Sequence, residues 1–63
     1  MHYDNAIAAC LNRWVALEHG DAYEAERRLE QMHYYCQRHA EDAGMAFKVV
    51  LAMAEEEAAA AEF

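Results

Sequence analysis

His33, Cys36 and His39 stand at successive three-residue steps, with Tyr34 and Tyr35 between the first two and a second thiol at Cys10. Imidazole and thiolate are the usual ligands of zinc, and an imidazole beside a thiol can also activate a cysteine nucleophile. The spacing argues against both uses. Zinc needs about four N/S donors converging on a tetrahedron. Residues three apart on a helix differ by about 60° in azimuth, so these side chains spread over about 120° instead of converging. A complete site would need Cys10, His2 or His19 from elsewhere, and the chain holds no CxxC pair and no HExxH. A nucleophile needs a cleft and an oxyanion hole, and adjacent turns of one helix supply neither. A Cys10–Cys36 disulfide is disfavoured as well. In a hairpin folded about Gly20 the two are offset by six residues, about 9 Å along the axis, where a disulfide tolerates a Cα separation of about 7 Å. The residues therefore predict no catalytic group, no metal and no cofactor. Cys36 reads as a small core residue with histidines at its border.

The carboxylates remain. The 63 residues carry 12 Asp and Glu against 5 Lys and Arg, a formal net charge of -7. Serine, threonine and proline are absent, which removes hydroxyl nucleophiles, Ser/Thr phosphorylation and N-glycosylation together. The acid is unevenly placed. Segments 1–20 and 21–40 each sum to −1, while 41–63 sums to −5 through Glu41, Asp42, Glu55, Glu56, Glu57 and Glu62 against Lys48. In the middle segment Glu24 can pair with Arg27 or Arg28, and Glu30 with Arg27, as ordinary helix-surface partners. Glu41, Asp42 and Glu55 to Glu57 are left without such neighbours. Glutamates near a helix C-terminus also oppose the macrodipole. These five residues are the candidate partner-binding set. Tyr34 and Tyr35 join them, because adjacent helical tyrosines point apart and at least one must face solvent, where Tyr is a common interface anchor.

These side chains require helices to carry them. Fifteen alanines with Leu, Glu, Arg, Gln and Met favour helix throughout. Helix 1 is predicted from Asp4 or Asn5, as N-cap, to His19, with Gly20 as the left-handed residue beyond its end. Asp21-Ala22-Tyr23-Glu24 has capping-box spacing and starts helix 2. That helix runs to Ala43 with Ala25, Leu29, Met32, Cys36, His39 and Ala43 on a heptad seam. Gly44 admits two readings. As a terminator it ends helix 2 and begins a third helix over about 45–60. As an interior residue, at a cost of about 1 kcal/mol, it leaves one long second helix in a dimerising hairpin. Met45, Phe47, Val49, Val50 and Leu51 load several faces, which a lone helix cannot bury. The favoured architecture is an all-α, three-helix bundle in one domain, 1–63, with helices about 4–19, 21–43 and 45–60.

Antiparallel packing about Gly20 predicts Leu17 against Ala25, Trp14 against Leu29, Leu11 against Met32 and Ile7 against Cys36. A second turn at Gly44 places Phe47 near Ala40, and Val50 and Leu51 near Cys36. The predicted core is Ile7, Leu11, Trp14, Leu29, Met32, Cys36, Phe47, Val50, Leu51 and Ala54. Glu55 to Phe63 is expected to fray.

No segment approaches the roughly 18–20 apolar residues of a membrane span, and the first residues lack signal-peptide character. A cytoplasmic protein with reduced thiols is expected. Its acidic surface repels nucleic acid and suits a basic partner. A rigid body with spaced carboxylates can imitate a phosphate backbone, enter the basic channel of a nucleic-acid-binding protein and block it. In length, acidity, alanine-rich helices and lack of a catalytic motif, the chain resembles the small phage-encoded anti-CRISPR proteins that inhibit type I surveillance complexes. That resemblance implies a DNA-mimicking inhibitor in the host cytoplasm. It rests on overall character, so it carries over no individual residue. Two other classes fit the same residues: a helical homodimer with a regulatory or structural role, and a metal- or redox-responsive module built on Cys36 and the histidines.

Overall fold

Gly20 and Gly44 have φ of +71° and +66°, and these two left-handed positions divide the chain into helices. The computed structural model describes residues 1–62. Three helices form an all-α bundle: α1 (His2–Glu18), α2 (Ala22–Ala43) and α3 (Phe47–Glu62). α3 continues to Glu62 through the tail expected to fray, and Ala58 within it is fully buried. Phe63 lies outside the described residues.

The first turn of structure departs from expectation. α1 begins at His2, with Met1 as an N-cap that offers no side-chain bond. Asp4 and Asn5 are not caps. The Asn5 N–H donates to the Met1 carbonyl at 3.1 Å, and Asp4 lies inside the first turn. Tertiary packing decides this: extending the helix brings the Tyr3 ring within 4.9 Å of His39 on α2. That contact joins residues seventeen before and nineteen after Gly20, close to the symmetric register predicted for the hairpin.

Between α1 and α2 the backbone groups are tightly used. The Gly20 N–H donates to Leu17 and the Asp21 N–H to Ala16, a Schellman closure of α1. Asp21 then caps α2, its Oδ1 accepting from the Glu24 N–H at 3.0 Å. Only this half of the predicted capping box forms. The Asp21 N–H is already committed to Ala16, so the Glu24 carboxylate turns to Arg28 Nε at 2.7 Å.

Gly44 ends α2, and its N–H and that of Met45 both donate to the Ala40 carbonyl. The long-second-helix reading therefore does not hold. α3 starts two residues later than expected, once the Ala46 carbonyl accepts from Val49 and Val50. Nor does α3 retrace α2. A strict return would set Glu57 beside Gln31 in mid-α2, yet Glu57 lines a cavity with Tyr3 at the open end of the hairpin. Phe47 packs on the cluster that holds Ala40 and also meets His33 edge-on at 5.7 Å. α3 thus crosses the α1–α2 hairpin obliquely.

The centre is built from small side chains. Ala6, Ala9 and Cys10, then Met32, Cys36 and Ala40, then Val50, Ala54 and Ala58, form one buried cluster. Of the predicted core, Met32, Cys36, Val50 and Ala54 are central. Ile7, Leu11, Trp14, Leu29, Phe47 and Leu51 are half-buried and ring it. Alanines at the seam let helix axes approach closely, which moves larger side chains to the flanks.

Candidate partner-binding surface

The thiol–imidazole set is dispersed. Cys36 is fully buried, His33 is exposed beside Phe47, and His39 packs on Tyr3. Among the described residues no three His, Cys, Asp or Glu side chains are grouped to hold a metal ion. Cys10 and Cys36 remain thiols within the core. Burial above all pushes the Cys36 thiol up, and the neighbouring Cys10 and Glu55 add to the effect. A protonated, enclosed thiol is a poor nucleophile.

The first acidic pair is less isolated than its sequence neighbourhood implied. Glu41 Oε1 lies 4.0 Å from Arg38 Nε, and its other oxygen accepts from Gln37 Nε2 at 3.2 Å. Asp42 Oδ2 lies 3.9 Å from His2 Nε2. Both carboxylates are exposed, so these contacts are worth little, but neither residue is without a neighbour.

Glu55, Glu56 and Glu57 are exposed, and no ion pair involves them among the described residues. Their field acts on α1. The Tyr3 phenol is pushed up, first by burial and then by Glu57 at its hydroxyl and the charges of Glu57, Cys36 and Glu56. The hydroxyl oxygen itself is enclosed and closes no hydrogen bond of good geometry, although Glu57 is its neighbour. Tyr3, Met53, Glu56, Glu57 and Ala60 surround a shallow cavity of about 330 Å³.

Tyr34 and Tyr35 meet edge-on at 5.3 Å, and Tyr35 stacks on His2 at 6.2 Å. Tyr34 is 55% exposed and Tyr35 half-buried. They line an open cleft of about 710 Å³ with His2 and Asn5 of α1 and His39 and Asp42 of α2. Adjacent residues His2 and Tyr3 therefore touch both acidic groups, one beside Asp42 and the other beside Glu57. Tyr34, Tyr35, Asp42, Glu56 and Glu57 border the first turn of α1, which was not among the expected site residues, whereas Glu41 contacts Arg38 and Gln37 and Glu55 lies towards Cys36. The signal for that turn was the apolar stripe Ile7, Leu11, Trp14, which extends backwards by one turn to Tyr3.

No helix among the described residues is long and apolar enough to cross a membrane. Comparison with known protein families, characterised proteins and solved structures finds no match.

Proposed function

We propose that this chain is an acidic helical binding protein that occupies the nucleic-acid channel of a basic partner and so inhibits it. The observation that carries the reading is that adjacent residues in the first turn of α1, His2 and Tyr3, stand beside Asp42 and Glu57, members of two acidic groups distant in sequence. Five exposed carboxylates on two helices support this reading, and among the described residues the Glu55, Glu56 and Glu57 group forms no ion pair. An acidic surface steers a basic channel towards it and competes with phosphate contacts there. A CRISPR surveillance complex is the partner that the chain's overall character suggests, with the chain acting as an anti-CRISPR inhibitor in a bacterial cytoplasm.

The test is charge reversal. Glu55→Lys, Glu56→Lys and Glu57→Lys together should weaken partner binding by roughly tenfold or more at moderate salt, mostly through the association rate. Binding by the wild-type chain should itself fall steeply as salt is raised. If the triple variant binds and inhibits as well as the wild type, the carboxylates serve solubility alone.

A further inference from the structure

We propose that the cleft between the first turn of α1 and the last turns of α2 is the site that takes an arginine of the basic partner; this rests on the reading above. The edge-on pair Tyr34 and Tyr35 offers ring surface at 5.3 Å between centroids, with Tyr34 facing solvent. A guanidinium is flat and weakly hydrated, and stacks on such rings better than an ammonium does. Asp42, about two turns further along α2 on the wall of the same cleft, supplies a carboxylate. The His2 imidazole stands 3.9 Å from its Oδ2, outside hydrogen-bond distance, which leaves acceptor positions open to a guanidinium fork.

The helix itself makes the same demand. The last turn of α2 carries Glu41 and Asp42 and no basic residue, so its carbonyl pole faces acid instead of a cation. A partner arginine in the cleft relieves that mismatch. The Met1 ammonium borders the cleft, but Met1 is 92% exposed and its charge is screened by water and salt. The cleft, about 710 Å³, has room for the whole side chain, with the stem laid along Ala43. The cavity at Tyr3 offers carboxylates, but its one lining ring, Tyr3, is already packed on His39.

Titrating the full chain with hexa-arginine and with hexalysine, followed by backbone-amide NMR, tests this. Hexa-arginine should bind about two- to fivefold tighter than hexalysine. Its shifts should centre on His2, Tyr34, Tyr35 and Asp42. Tyr34→Ala should erase the preference, and Asp42→Asn should weaken arginine binding further; both side chains are exposed, so the fold is kept. Equal affinity for the two peptides, or shifts centred on Glu55 to Glu57, overturns the arginine cleft and leaves the acidic-inhibitor reading standing. Absence of binding to either peptide overturns both.

Discussion

Tyr3 concentrates several forces on one side chain. Its ring packs on His39, its hydroxyl is enclosed without a good hydrogen bond, and Glu57 and Glu56 surround it with negative charge. A buried donor left unsatisfied costs about 1–3 kcal/mol, whereas an apolar group of the same shape avoids that cost. Tyr3→Phe should therefore leave stability unchanged or raise it by up to about 1 kcal/mol, about 4–8 °C in Tm for a domain this small. A thermal melt that falls by several degrees would show that the hydroxyl makes a bond of value, with Glu57 the first candidate. Cys36 shows burial acting on a thiol. Folding holds its proton more tightly than the unfolded chain does. That contribution is intact below the ordinary thiol value of 9.0 and is lost as pH climbs through the raised folded value.

At the scale of elements, the two glycines do the dividing. Gly44 sits at φ +66° with open space where a Cβ would go, so only backbone strain opposes substitution. Gly44→Ala should cost about 1–2 kcal/mol and lower Tm by several degrees, measured by circular dichroism. A neutral result would mean that α2 and α3 can join into one helix. These boundaries were legible because Gly20-Asp21 and Gly44 act locally, through left-handed φ and a side-chain cap. The start of α1 was not legible from Asp4 and Asn5, since the packing of Tyr3 on a helix more than thirty residues away outweighs a local cap. The core was legible in its membership at the centre for Met32, Cys36, Val50 and Ala54. It was misjudged for Ala6, Ala9, Ala40 and Ala58, because periodicity weights large side chains while close helix approach selects small ones. The path of α3 was misjudged for a related reason. Antiparallel return follows from a short loop alone, but the crossing depends on which faces the alanines leave free. Of the candidate surface, the acidic residues were visible in the sequence. The approach of Glu57 to Tyr3 was not, because it depends on that crossing, whereas Asp42 beside His2 follows the hairpin register.

At the scale of the whole molecule, the exposed area is 4221 Å², close to the about 4,100 Å² expected for a folded monomer of this size. Facing carboxylates would repel in many symmetric pairings of this chain. The net charge of -7 is instead available to a partner of opposite sign. The most direct test captures the binding partner on the immobilised chain and then challenges the complex with duplex DNA. The account predicts that the partner binds nucleic acid by itself and is released by duplex DNA in a dose-dependent way, more readily as salt is raised. A partner that stays bound under saturating DNA, or that has no affinity for nucleic acid, would contradict the proposal that this acidic body stands in for a phosphate backbone.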